Sequence, residues 1–288
     1  MTQINRKDLK RQAREAMGLT RPRFWVICLI YPLLTTGVES LIRQLSSYQG
    51  PVLEQFSFFV FFCTILYNLY YLVVRFGYNL WSLWTWRRLN PGAGSLIQGF
   101  SIPGRVIIME LLIFLRIFLW VFLLAMALTL LVLAIPSPAL YVLGFALVYV
   151  AVLIATLRYA MAPYLLADHP DDGAGAAVRR SVEMMQGKKW ELFKLQFSFI
   201  GWYLLEFVLS GSVLLVFLLQ SGAFSSAVTP DSLLFYRAVI NTVPAFVLSN
   251  LITVPLSLWL TPYTLVAQAG FYDTLCRQGS GYEQMPPL

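Results

Sequence analysis

Six stretches of this chain are apolar over about the 20 residues that a helix needs to cross a bilayer, and no other feature limits its fold as strongly. They are residues 24–42, 56–86, 105–135, 139–167, 192–220 and 238–275. In hydrocarbon each backbone N–H and C=O must be paired within the protein, so runs of this kind become helices. Charged residues are 12% of the 288, about half the share in a soluble domain, which is too few to solvate a surface of this size. The expected fold is an all-α membrane protein with six transmembrane helices arranged as three hairpins, each preceded by a short interfacial helix. The whole chain, 1–288, reads as a single polytopic membrane domain. Runs longer than the bilayer should tilt, kink or project. Pro244, Pro255 and Pro262 should divide the sixth into pieces, because each removes a helical hydrogen bond. The first run follows a basic tail of over twenty residues and shows no small-residue cleavage pattern, so it is expected to be a retained span.

Basic residues set the orientation. Seven Lys or Arg fall in the N-terminal tail, three in the second loop, five in the fourth and one in the C-terminal tail. That places 16 on one side against two, Arg43 and Arg237, on the other, with Arg75, Arg116 and Arg158 inside spans. Positive loops stay inside, so both termini are expected in the cytoplasm of a multi-pass cell-membrane protein. Residues 1–23 then form a cytoplasmic amphipathic tail, 168–191 a cytoplasmic elbow with a short helix, and 276–288 a second cytoplasmic tail. The net charge of +7 is assigned to loops facing anionic headgroups, not to a nucleic-acid partner.

An internal pattern suggests three similar units. A Gly followed by basic residues precedes each odd-numbered span, at Gly18, Gly99 and Gly187. Pro163-Tyr164-Leu165-Leu166 echoes Pro262-Tyr263-Thr264-Leu265, and Phe76-Gly77-Tyr78 sits comparably in the second span. Units in one orientation make a parallel repeat about the membrane normal. In the tail, Asn5 is placed to cap a helix, with Asp8 at its third position. Leu9, Ala13, Ala16 and Met17 share one face, and Lys7, Lys10, Arg11 and Arg14 the other. Such a helix can lie on an anionic leaflet; the alternative is a solvated charged tail.

The stretch 158–170, Arg-Tyr-Ala-Met-Ala-Pro-Tyr-Leu-Leu-Ala-Asp-His-Pro, is followed by Ala177, Arg180-Ser181, Met184-Met185, Gly187-Lys188-Lys189-Trp190 and Phe193. Next comes 195–202, Leu-Gln-Phe-Ser-Phe-Ile-Gly-Trp. These motifs resemble the signature of a bacterial integral-membrane family of unknown function, domain of unknown function nine-seven-five. Arg6-Lys7-Asp8-Leu9-Lys10, Pro262-Tyr263 and Phe271-Tyr272 fit it as well. The resemblance implies a six-span bacterial membrane protein and implies no activity. Physically, Asp168 and Pro170 end the fourth span, with the Asp carboxylate accepting backbone N–H groups of the turn. A helix over 176–186 carries Ser181, and Gly187 takes the left-handed position that stops it. Arg179, Arg180, Lys188, Lys189 and Trp190 then sit at headgroup depth. They are read either as a structural elbow or as an anionic-headgroup site.

Ionisable groups inside spans cost about 2.5–3.5 kcal/mol each to insert and so mark candidate sites. They are Arg75, Glu110, Arg116, Arg158 and Glu206. Depth along the helices pairs Glu110 with Arg158, and Glu206 with Arg116 or Arg75. The cluster serves either helix packing or a substrate cavity. Catalytic chemistry is not expected. The one histidine, His169, lies in a loop, the three cysteines make no framework, and neither a His-Glu-x-x-His site nor a P-loop occurs. No cofactor or metal is expected. The expected partners are membrane lipids, through anionic headgroups at the cytoplasmic face, and a further membrane protein. Two functions fit: a transporter or transport-associated component with a polar intramembrane cavity, or a non-catalytic scaffold or regulatory subunit that binds a partner protein or anionic lipid.

Overall fold

The computed structural model describes residues 5–21, 23–47, 53–135, 137–220 and 243–278. Arg237, residues 238–242 of the sixth predicted span and the tail beyond Gln278 lie outside that set, as does the side chain of Arg43. Every regular element among the described residues is helical. Six helices are long and apolar enough to cross a membrane: Phe24–Ile42, Phe58–Trp86, Pro103–Ala134, Pro138–Asp168, Lys189–Leu219 and Leu251–Gln278. The protein is an all-α, multi-pass membrane protein. The chain divides into two compact units, Met1–Lys194 with Leu265–Leu288, and Leu195–Thr264.

The first unit begins with α1 (Arg6–Gly18), α2 (Phe24–Pro32), a π-helical turn (Leu33–Gly37) and α3 (Val38–Ser47). Asn5 caps α1 through its side-chain oxygen, which accepts the Lys7 N–H at 3.1 Å, while its amide donates to Asp8. The expected stripe of Leu9, Ala13, Ala16 and Met17 is the buried face. It is covered by protein rather than offered to a leaflet, because α1 packs against α4 (Leu53–Trp86). Burial, then the neighbouring Arg14 and Arg6, pulls the Lys10 ammonium below the usual lysine range.

α4 is the hub. It packs against α1, α3, α5 (Pro103–Ala134), α7 (Ala162–Asp168) and two 3-10 turns, Ala93–Leu96 and Gln98–Ser101. Those turns stand where a short interfacial helix was expected before the third span. Leu96 and Gly99 press backbone against α4, while Ile97 and Phe100 are exposed. The contact depends on small residues that let backbones touch. A Cβ at Gly77 would fall 2.1 Å from the Leu96 carbonyl oxygen, and one at Gly99 would fall 2.6 Å from that of Val73.

The fourth span is broken into α6 (Pro138–Tyr159) and α7. Pro163 has no N–H for the carbonyl four residues back, so the ladder fails there. Two side chains take up carbonyls exposed near the break: Ser181 donates to Arg158 at 3.2 Å and Gln268 to Ala160 at 3.3 Å. Ser181 lies on α8 (Ala174–Met184), a two-residue shift from the expected helix, which packs on α5, α6 and α7. Gly187 has φ +72° and ends this segment as expected. α9 (Lys189–Phe197) follows.

The second unit holds α10 (Ile200–Gln220) and the first part of α11 (Val243–Gln278). Its aromatic core sets Trp259 against Trp202 at 5.2 Å and Tyr263 edge-on to Phe199 at 5.0 Å. The expected division of the sixth span does not occur: α11 is one helix with Pro255 and Pro262 inside it. Each proline deletes one bond of a long ladder, and the remaining bonds carry the helix through.

Candidate functional site

Two polar constellations stand out in the first unit, and both lie on α4. The first is a cavity of about 570 Å³ between α2–α3 and α4. It is lined by Tyr31, Thr35, Thr36, Glu39 and Ile42 on one wall and Thr64, Tyr67, Asn68 and Tyr71 on the other. Local sequence creates it. Pro32 has no N–H for the Cys28 carbonyl, and the helix answers by widening into the π turn Leu33–Gly37. The Thr35 hydroxyl folds back to the Tyr31 carbonyl at 2.8 Å. The Thr35 carbonyl, turned out of the ordinary ladder, accepts the Tyr67 hydroxyl from α4 at 3.2 Å.

Tyr31 joins the lining to an aromatic stack. Tyr31 stacks on Tyr78 at 4.3 Å and Tyr78 on Trp81 at 5.6 Å, with the Cys28 thiol 4.0 Å from the Tyr78 hydroxyl. Arg75 lies one helical turn beyond Tyr71 and is exposed. The cavity thus holds hydroxyls, an amide and one carboxylate, Glu39, in a segment whose surroundings are apolar. It has the makings of a ligand site, with polar groups of two walls converging on one space.

The second constellation lies at the end of α4 on the side of the basic loops. Arg88 has φ +58°, a left-handed position that closes α4 as glycine ordinarily does, with the Leu89 N–H bonded to the Trp84 carbonyl at 2.9 Å. This turn aims Arg87 across the unit. Its guanidinium donates two bonds of 2.7 Å to Asp168 at the end of α7, and lies 3.4 Å from Asp273 on α11. The Tyr272 hydroxyl donates to the same Asp168 at 2.9 Å, and Arg277 pairs with Asp273 at 2.9 Å. Arg87 and Asp168 are 20% and 19% exposed, and Asp273 only 6%. Burial works against the guanidinium's charge, but the Asp168 bonds and the Asp168 and Asp273 charges outweigh it and hold the proton more tightly than usual. The clasp ties together the ends of three spans. Gly270 beside it lies against the Trp86 ring, where a Cβ would come within 2.6 Å.

The predicted residues divide between these places and the surface. Asp168 belongs to the clasp; its carboxylate serves Arg87 and Tyr272 rather than the turn. Pro170 accepts from Arg105 at 2.7 Å, which fastens the elbow to the start of α5. Arg180 pairs with Asp172, and Lys188 with Glu191 at 3.6 Å. Arg179 and Trp190 are exposed, Lys189 is half-buried, and Trp190 stacks on Phe193 at 5.0 Å. Arg75, Arg116 and Arg158 are exposed, and Glu110 is half-buried. Glu110 and Arg158 lie on α5 and α6, which pack against each other. Glu206 lies on α10 in the second unit.

Sequence reasoning passed over the cavity because it counted charges. The signal was present in uncharged residues: Thr64, Tyr67, Asn68 and Tyr71 share one helical face, as do Tyr31, Thr35 and Glu39. Asp273 was also legible. It follows Val266 and Ala269 at helical spacing, so an acid sits on a buried stripe and requires a cationic partner.

A family model described as "Protein of unknown function (DUF975)" matches residues 1–278. No curated protein and no solved structure matches the chain.

Proposed function

The chain belongs to the DUF975 family, whose function is unknown, and from that premise we propose that it is a transport-associated membrane protein that takes a small polar ligand into the cavity between its first two spans. The observation that carries this reading is the cavity itself, with Glu39, Tyr67, Asn68 and Tyr71 converging on about 570 Å³ inside membrane-crossing helices. Polar groups are expensive in hydrocarbon, and a packed scaffold would gather them against one another without leaving space. The role is non-catalytic. Anionic headgroups contact the exposed Arg179 and Trp190 at the cytoplasmic face.

In this reading both termini are cytoplasmic and the cavity opens on the opposite side, because Glu39 lies close to the end of its span remote from the basic loops. With the native cysteines replaced by alanine, Asn68→Cys is expected to react with an impermeant thiol reagent added outside. Leu66→Cys, exposed on another face of α4, should react at least ten times more slowly. Equal rates at the two positions would mean that Asn68 faces lipid and that the cavity holds no water.

Orientation has its own test. A cysteine replacing Pro230 should be labelled from outside intact cells, and one replacing Gly281 only after permeabilisation. The reverse pattern would invert the protein in the membrane.

A further inference from the structure

We infer that α1 and the turn after it form a docking site for anionic phospholipid headgroups, in which Arg6, Lys7, Arg14, Arg21 and Arg23 hold the phosphates by charge alone. The apolar stripe of α1 is spent on α4, so insertion into a leaflet is not how this helix meets the membrane. Its charged residues are sorted by sign. Arg6, Lys10 and Arg14 follow one another at four-residue spacing on one flank, with Lys7 beside them. Asp8 and Glu15 lie on the other flank, where Arg11 comes within 3.4 and 3.9 Å of them. Glu15 also reaches Arg88, past the end of α4, at 3.9 Å. That contact turns the acidic flank away from the spans and the cationic flank back toward the headgroups.

The cations crowd one another, and the acids of the helix are already engaged. Arg6, Lys7, Arg14, Arg21 and Arg23 are exposed, and none of the five is in an ion pair among the described residues. Like charges one turn apart repel. Burial, and then the charges of Arg14 and Arg6, weaken the hold of Lys10 on its proton. Anions placed along this flank offset the repulsion. Their source is the membrane, because the site adjoins the start of a span. α2 opens at Phe24, and Trp25 in its first turn is 48% exposed, an indole at headgroup depth two residues from Arg23. Clusters of basic residues immediately beside a span bind anionic lipid in this way, each residue near the surface raising the affinity about fivefold. An acidic protein segment would have to displace phosphates that are already there.

The test places the full chain in nanodiscs of phosphatidylcholine, with or without phosphatidylglycerol, and follows acetylation of the exposed Lys7 side chain by peptide mass spectrometry. Phosphatidylglycerol should slow the reaction about fivefold. Arg6→Gln combined with Arg14→Gln should remove that difference. Arg6→Lys combined with Arg14→Lys should keep most of it, which separates charge from a loss of folding. In nanodiscs of phosphatidylcholine alone, soluble polyglutamate and inorganic phosphate should each leave the rate unchanged. Equal rates in the two kinds of nanodisc would overturn the assignment. So would slowing by polyglutamate, which would make the partner an acidic protein segment, or by inorganic phosphate, which would make the site one for a free anion. A difference that persists in the glutamine variant would place the lipid elsewhere on the protein and overturn it too. None of these results bears on the cavity, which is tested separately at Asn68→Cys.

Discussion

Arg87→Ala is expected to lower the stability of the detergent-extracted protein by about 3–5 kcal/mol, the cost of leaving the other member of a buried ion pair behind. The loss is large because one guanidinium serves two carboxylates. Asp168 would keep only the Tyr272 hydroxyl, and the nearly buried Asp273 would keep only the more exposed Arg277. The result separates interior from surface pairs. Arg277 is 69% exposed, and removing an exposed partner of this kind costs at most about 1 kcal/mol. Replacing both Arg87 and Asp168 with leucine should recover much of the stability, since the stranded charge leaves with its partner. Thermal unfolding of the two single variants and the double variant measures this. Additive losses would mean that the two residues stabilise the protein independently, and the clasp would then not be a unit.

Gly77→Ala should be nearly as damaging although it adds one methyl group. That carbon would fall 2.1 Å from the Leu96 carbonyl oxygen and 2.6 Å from the carbonyl carbon. Both atoms are backbone and cannot rotate away, so α4 and the first 3-10 turn must separate. Overpacking a core usually costs about 1–3 kcal/mol, and a contact made of two backbones belongs at the upper end or beyond. Gly92→Ala is the control, because a Cβ there meets nothing within 4 Å. It should change stability by less than about 0.5 kcal/mol. Thermal unfolding of both variants tests the pair, and similar values would show that this contact gives way easily.

How much of this was legible varies by element, for physical reasons. The cap at Asn5 and the buried face of α1 were readable because both depend on spacing within three turns. Gly187 was readable for the same reason: a left-handed residue after a helix is a local need. What covers the α1 stripe was not readable, since lipid and protein place the same demand on Leu9 and Met17. A short interfacial helix was expected before α5, where two 3-10 turns stand, because Gly99 was read as a joint of a repeat. Its function is contact with Val73, twenty-six residues earlier in the chain. The prolines show the same division. Pro32, Pro163, Pro255 and Pro262 all remove one N–H, yet they give a π turn, a break and a helix that continues.

The sequence by itself determined that this is a helical, multi-pass membrane protein, where its six crossings lie and which family it belongs to. Those properties follow from the run length of apolar side chains and from local motifs, and neither depends on which helices meet. Tertiary structure alone decided which polar groups share a site. Arg87, Asp168 and Asp273 converge from residues 81 and 186 positions apart, and the cavity arises because a π turn faces Tyr67 across 32 residues. In hydrocarbon an apolar face is satisfied by lipid as well as by another helix, so hydropathy cannot select neighbours. The choice falls to a few close backbone contacts, such as Gly77 on Leu96, and to polar groups that have no other partner within the membrane.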